Sequence, residues 1–285
     1  MVLPLLLILV SAAAAAQPWM RASDSPRARA LALLQVMNAS EKIAMLHGYV
    51  SPEYTGLTQG NARLGIPPLN FNDGRQGFRP NDGNSGQTAF PCQLAVVATF
   101  DKDLHRAFGE AMGEEFVGKG GNVMLAPMLI LARVPQGGRN FESCGECPEL
   151  AYHFAHAMVS GAQAVPGLIA NADDFVLNNQ ETDRGDISAV ADQRTLFELY
   201  YRGYKGAIDA GVGSFMCSYV RGLRGAAQQP QQQPLADRCL SHPRFTHTPP
   251  PSPEPHQWHA RVRERRHAGR PQEPRGPEFF WLGAQ

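Results

Sequence analysis

The fold is decided by residues 122–129, which read Asn-Val-Met-Leu-Ala-Pro-Met-Leu. This apolar run has the length of a strand and shows no polar alternation, which is typical of a parallel strand covered on both faces. A helix is predicted just before it, between an N-cap at Asp101 and a C-cap at Gly118. The apolar face of that helix repeats every four residues, at Leu104, Phe108, Met112 and Phe116.

Strand and helix signals alternate on both sides of this run. The predicted helices are 101–118, 150–165 and 193–210, and the predicted strands are 66–73, 122–129, 168–177 and 213–219. Such alternation indicates an α/β architecture built on a parallel sheet. Residues 49–65 carry no clear period and are predicted as loop.

The two ends of the chain differ from its centre. Residues 1–16 join an apolar run to a row of alanines, which predicts a signal peptide and therefore a secreted protein. Residues 221–285 are rich in Pro, Gln and Arg and have no hydrophobic period, which predicts a disordered tail. The formal net charge is zero, so the composition favours no nucleic-acid partner, and no later segment is apolar enough to predict a membrane span.

Five cysteines leave two possibilities open. Cys144 and Cys147 could form a local disulfide in an oxidising compartment, or both could be unpaired thiols. A second Cys pair at metal-ligand spacing is missing from the sequence, so we predict no metal site.

Three residues are candidates for binding a polar ligand. Asp73 stands where a predicted strand gives way to a glycine-rich turn, Arg139 lies between glycines and an aromatic residue, and Tyr219 ends a predicted strand. A carboxylate accepts hydrogen bonds from adjacent hydroxyl groups, a guanidinium donates five, and a tyrosine ring stacks on a sugar face. Each also has an ordinary interpretation, as a turn residue, a surface Arg and a core aromatic.

The order of short blocks along the chain resembles glycoside hydrolase family 3, the β-glucosidase family, over residues 25–220. The blocks are Asn72-Asp73-Gly74, Phe90-Pro91, Gly118-Lys119-Gly120, Asn122-Val123, Ala132-Arg133-Val134-Pro135, Gly138-Arg139-Asn140-Phe141-Glu142, Gly145-Glu146, Asn178-Asn179-Gln180-Glu181 and Met216-Cys217-Ser218-Tyr219. The resemblance implies part of a (β/α)8 barrel, about half of its units. It further implies that Asp73, Arg139 and Tyr219 line the subsite for the glucosyl unit, and that no cofactor is used.

The chain departs from the family pattern in its charged residues. Asp173 and Asp174 stand where family members usually carry Lys-His, so two donors to sugar hydroxyls are replaced by two carboxylates, and we expect weaker sugar binding. The family's nucleophile is the Asp of a Ser-Asp-Trp motif, which this sequence does not contain, and its acid/base Glu belongs to a second domain.

The resemblance therefore implies retaining hydrolysis of terminal β-D-glucosyl residues for the family. For these 285 residues we predict no catalytic residue and five substrate-binding residues, Asp73, Arg139, Asp173, Asp174 and Tyr219. The alternatives are a non-catalytic carbohydrate-binding protein and a non-functional truncated product.

Overall fold

The computed structural model describes residues 17–79 and 86–219. The predicted signal peptide at 1–16 and the predicted tail at 221–285 lie outside these residues. The described chain forms two compact units, residues 17–72 and residues 73–79 with 86–219. Within the described residues, no helix combines the length and the apolar character that crossing a bilayer requires.

The first unit is a helical pair followed by short antiparallel strands. It contains α1 (Pro26–Val36), α2 (Ala39–Ala44), β1 (Gly48–Tyr49), β2 (Gly56–Thr58) and the start of β3 (Leu69–Asp73). β2 pairs antiparallel with both β1 and β3. The prediction of loop for 49–65 is therefore wrong in part, because strands of two or three residues are too short to show a hydrophobic period.

The second unit alternates helices with parallel strands. Its elements are α3 (Gln93–Val97), α4 (Lys102–Gly118), β4 (Val123–Met128), α5 (Pro148–Ala162), β5 (Ile169–Phe175), α6 (Gln193–Thr195), a π-helical turn (Leu196–Tyr200), α7 (Tyr201–Asp209) and β6 (Ser214–Cys217). β5 pairs in parallel with β4 on one side and β6 on the other. The predicted α/β alternation is thus confirmed. Helix α4 has its predicted N-cap, with Asp101 accepting from Asp103 N at 3.0 Å and Leu104 N at 3.1 Å. The predicted C-cap at Gly118 is wrong by one residue, because Gly118 is the last helical residue and Lys119 is the C-cap.

The buried strand that decides the fold is held at its carboxyl end by a side-chain amide. All six residues of β4 are buried. Gln93, itself fully buried, donates from Nε2 to Met128 O at 2.7 Å and accepts from Met128 N at 3.2 Å. The Gln93 amide thus satisfies both the N–H and the C=O of Met128, as a neighbouring strand otherwise would. This pairing fixes Met128 as the last residue of β4 and the start of the loop that follows.

Candidate functional site

A cluster of charged side chains lies where β3 and β5 end. β3 ends at Asp73, and the turn behind it is pinned to β4, since Gly74 N donates to Leu125 O at 3.2 Å. A Cβ atom at Gly74 would lie 2.6 Å from Met124 Cγ, so only glycine lets the turn approach this closely. The turn delivers the next residue, Arg75, to the carboxyl end of the parallel strands.

Arg75 is surrounded by carboxylates. Its Nη2 lies 2.5 Å from Asp173 Oδ2 and 4.0 Å from Asp174 Oδ2, and its Nη1 lies 3.1 Å from Glu142 Oε2. Only 10% of the Arg75 side chain is exposed. A guanidinium buried to this degree is compatible with folding only if carboxylates surround it, as they do here.

The end of β5 brings two adjacent carboxylates to one cation. Successive side chains of a regular strand point to opposite faces. Here Asp174 has a φ of 64°, and the pairing of β5 with β6 is irregular between Ala172 and Phe175. The Tyr204 hydroxyl, buried in α7, contacts Asp173 O at 3.0 Å and Asp174 O at 2.8 Å. This irregular strand end explains how both side chains reach Arg75.

Arg139 completes the cluster from the loop after β4. Its guanidinium donates to Glu142, with Nη2 2.8 Å from Oε2, and its Nη1 lies 3.7 Å from both Asp174 Oδ2 and Glu181 Oε1. The residue before it, Gly138, has a φ of 91° and would place a Cβ 2.9 Å from Glu181 Cγ. Glycine is therefore needed at this position both for its backbone conformation and for its close approach.

The pKa values of the three carboxyl groups reflect two opposing effects: burial raises them, and the positive charges of Arg75 and Arg139 lower them. Burial raises the pKa of Asp173 to about 8, against the opposing charge of Arg75. Burial also raises the pKa of Asp174, although both guanidinium groups oppose it. Burial alone would raise the pKa of Glu142 as well, but the hydrogen bond from Arg139 and the charge of Arg75 lower it overall. Glu142 is thus favoured as the anion, whereas Asp173 and Asp174 bind a proton more readily than an aspartate in water does.

The structure gathers the five predicted site residues unevenly. Asp173, Asp174 and Arg139 share the cluster directly. Asp73 pairs instead with Arg79, whose Nη1 lies 2.6 Å from Asp73 Oδ2. Tyr219 is 51% exposed, and the Cζ of Arg184 lies 4.4 Å from its ring centroid.

Three residues of the cluster were not predicted as site residues. Glu142 and Glu181 belong to two of the sequence blocks that resemble the family, but the sequence predicts no role for either residue. Arg75 stands two residues after Asp73, in the glycine-rich turn. Its position beside a predicted ligand residue was a signal, but a lone Arg in a turn is ordinarily solvated, so only its burial reveals it.

A cavity of about 420 Å³ lies apart from the predicted residues. It is lined by residues 187–192 and their neighbours, and Arg133, at its wall, donates from Nη1 to the Tyr200 hydroxyl at 3.2 Å. None of Asp73, Arg139, Asp173, Asp174 and Tyr219 lines it. Three of the five predicted site residues, Arg139, Asp173 and Asp174, therefore lie in the charged cluster, and none of the five lines this cavity.

The cysteine question is resolved in favour of unpaired thiols. Cys144 and Cys147 are both free, and the first is buried whereas the second is exposed. Cys144 Sγ accepts from Gln93 Nε2 at 3.2 Å, and burial raises the pKa of the thiol well above its ordinary value. Cys144 therefore serves packing at the end of β4.

Comparisons with known proteins agree on one family. The family model for the glycosyl hydrolase family 3 N-terminal domain matches residues 35–234. A probable β-glucosidase A of Aspergillus terreus is 38% identical over 207 residues, covering 67% of this chain and 24% of that relative. β-Glucosidase 1 of Aspergillus aculeatus is 36% identical over 207 residues, with the same coverage of 67% and 24%. The chain thus spans about a quarter of the length of these relatives.

Solved structures show the same likeness in three dimensions. DesR, a β-glucosidase from Streptomyces venezuelae, superposes with a TM-score of 0.65 at 36% identity, covering 69% of this chain and 25% of that one. The β-D-glucoside glucohydrolase of Trichoderma reesei gives a TM-score of 0.62 at 34% identity, covering 73% and 28%. These matches confirm the predicted fold class, an α/β domain containing part of a (β/α)8-type barrel. The chain belongs to glycosyl hydrolase family 3, through the N-terminal domain of that family.

Proposed function

We propose that the second unit holds the terminal β-D-glucosyl unit of a β-glucoside, as the sugar-binding part of a retaining glycoside hydrolase. The observation that carries the proposal is the charged cluster at the carboxyl ends of β3 and β5, in a domain of this family. Active sites of (β/α)8 barrels lie at the carboxyl ends of the strands. The structure of the Streptomyces relative is a complex with D-glucose, which supports glucose as the ligand class.

Asp73, Arg139 and Tyr219 are proposed to contact the sugar. Asp73 is 23% exposed and can accept from two hydroxyl groups, while Arg139 keeps donors free beyond its contact with Glu142. The exposed Tyr219 offers a ring face for stacking. Asp173 and Asp174 belong to the same subsite.

We propose that cleavage requires two carboxyl groups, and the motif that carries the family's nucleophile does not occur in these 285 residues. Retaining hydrolysis needs a nucleophile and an acid/base about 5 Å apart, and the sequence contains no Ser-Asp-Trp motif. We further propose that the protein is secreted and that it uses no cofactor. The expected behaviour of the 285-residue chain is sugar binding without turnover.

The test pairs a binding assay with a turnover assay on the purified 285-residue chain. Isothermal titration with D-glucose is expected to show saturable binding, and an aryl β-glucoside is expected to release no phenol above a heat-inactivated control. Asp73→Asn should lower glucose affinity, whereas Arg194→Gln, which removes an exposed pair with Glu198, should not. Absence of glucose binding contradicts the proposed subsite, while turnover that persists through purification contradicts only the absence of cleavage.

A further inference from the structure

Arg75 has donor capacity that its carboxylate neighbours do not use. A guanidinium carries five N–H donors. Its two Nη atoms face Asp173 at 2.5 Å and Glu142 at 3.1 Å. Arg75 Nε is buried and has no hydrogen-bond partner among the described residues, and the same holds for Asp173 Oδ1. Buried polar atoms are almost always paired in folded proteins, so the unpaired Arg75 Nε indicates that Arg75 has a donor available for a polar ligand.

The side chains of the cluster differ in how much of their surface a ligand can reach. The side chains of Asp173 and Asp174 are 0% and 1% exposed, whereas those of Arg75, Glu142 and Arg139 are 10%, 13% and 16% exposed. A sugar arriving from solvent therefore meets the two guanidinium groups and Glu142 before it can reach either aspartate. The aspartates lie behind Arg75 and hold it from the side of the strands.

The two adjacent aspartates face two different cations. A single carboxylate would balance Arg75, and a second carboxylate on the neighbouring residue adds repulsion unless it serves another cation. Asp174 does so, since its Oδ2 lies between Arg75 Nη2 at 4.0 Å and Arg139 Nη1 at 3.7 Å. The pair thus fixes two guanidinium groups relative to each other.

We propose that Arg75 is a sugar-binding residue that donates to hydroxyl groups of the glucosyl unit, and that Asp173 and Asp174 are positioning residues that do not touch the sugar. This inference rests on the proposed function and names the donors of the same subsite. It assigns Asp173 and Asp174 a different role from direct contact with substrate.

The first test uses a variant in which Arg75 and both aspartates are replaced together. Arg75→Met by itself exposes two buried carboxylates to each other, so the informative variant is Arg75→Met combined with Asp173→Asn and Asp174→Asn. This triple variant is expected to fold, as judged by circular dichroism, and to bind D-glucose at least about 10-fold more weakly, as befits the loss of a charged donor. Arg202→Gln is the control, because Arg202 forms a comparable two-contact pair with Glu149 on a helix surface, at 2.7 and 3.0 Å. Its glucose affinity should equal that of the wild type.

A cycle of variants tests whether Asp173 acts by positioning Arg75 or by contacting the sugar itself. In the Asp174→Asn background, Asp173→Asn is expected to weaken glucose binding when Arg75 is present and to have no effect when Arg75 is Met. If Asp173 touches the sugar, its replacement weakens binding equally in both cases, and the assigned role is wrong.

A measurement on the wild type covers the case in which the triple variant does not fold. The Nε–H resonance of Arg75, assigned by its loss in Arg75→Lys, should shift during a glucose titration, while that of Arg202 should not. A wild-type chain that does not bind glucose overturns the proposed function and this inference with it. Wild-type binding with a folded triple variant of equal affinity, or with a stationary Arg75 resonance, overturns only the inference.

Discussion

Asp173 shows how one buried carboxyl group sets the energetics of the site. It is fully buried, and Arg75 lies 2.5 Å from it. Removing one partner of a buried ion pair costs about 3–5 kcal/mol, because the other charge is left uncompensated. Single replacements of Arg75 are therefore expected to change mainly the stability of the fold. Replacement of Asp173 is expected to change mainly how stability depends on pH, because its carboxyl group binds a proton up to about pH 8.

The first prediction at this scale concerns pH. The pKa of Asp173 is raised by burial from 3.8 to about 8, so the folded protein binds this proton more tightly than the unfolded chain does. The contribution of Asp173 to the free energy of unfolding is therefore fully present below about pH 4 and is lost as pH rises to about 8. Asp173→Asn removes this loss, so its stability relative to the wild type should increase across that range, as measured by urea denaturation.

The control for this prediction is Asp192, whose pKa is shifted in the opposite direction from that of Asp173. Asp192 accepts from Thr195 N at 2.7 Å, and this hydrogen bond lowers its pKa. Asp192→Asn should therefore differ from the wild type mainly at neutral pH, with the difference shrinking as pH falls. If the stability difference between Asp173→Asn and the wild type does not change with pH, the assigned protonation of Asp173 is wrong.

At the scale of elements, glycines decide how closely the helices pack. A Cβ at Gly109 of α4 would lie 2.2 Å from Met158 O in α5, and one at Gly161 of α5 would lie 2.1 Å from Arg106 O. A Cβ at Gly206 of α7 would lie 2.2 Å from Tyr152 O. The three helices therefore touch backbone to backbone, which fixes the spacing of the strands they cover.

Two substitutions in one helix test this packing. Gly109→Ala should destabilise the protein by about 1–3 kcal/mol or more, because α4 and α5 must move apart. Gly118→Ala, at the exposed end of the same helix, meets no atom within 4 Å and should be neutral or stabilising by up to about 1 kcal/mol. Thermal unfolding of both variants decides the matter, and equal melting temperatures would rule out the close contact.

At the scale of the whole molecule, ligand binding should appear as stability. A ligand that binds only the folded state adds about 2.7 kcal/mol at a concentration of 100 times its dissociation constant. D-Glucose should therefore raise the melting temperature of the 285-residue chain in a dose-dependent manner, whereas L-glucose should not. A rise of equal size with both sugars would indicate a solvent effect instead of a subsite.

The sequence predicted most elements of the second unit because their signals are local. The short helix α3 (Gln93–Val97) was not predicted, and the predicted helix 193–210 is divided by the π-helical turn Leu196–Tyr200. The apolar run at 122–129, the four-residue repeat of α4 and its Asp101 cap each depend on neighbouring residues, and all three appear in the structure. The short strands within 49–65 were missed for the converse reason, since pairing with a partner strand creates them.

The sequence by itself determined the family and the α/β architecture, through blocks whose order and spacing are specific. Only the tertiary structure decided which charges meet. Asp173 and Asp174 share one guanidinium because the strand end is irregular and Tyr204 holds its carbonyl groups. Arg75, distant in sequence from both, enters their surroundings through a turn that packs on β4. Burial and electrostatic contact depend on distances in space, which no pattern of neighbouring residues records.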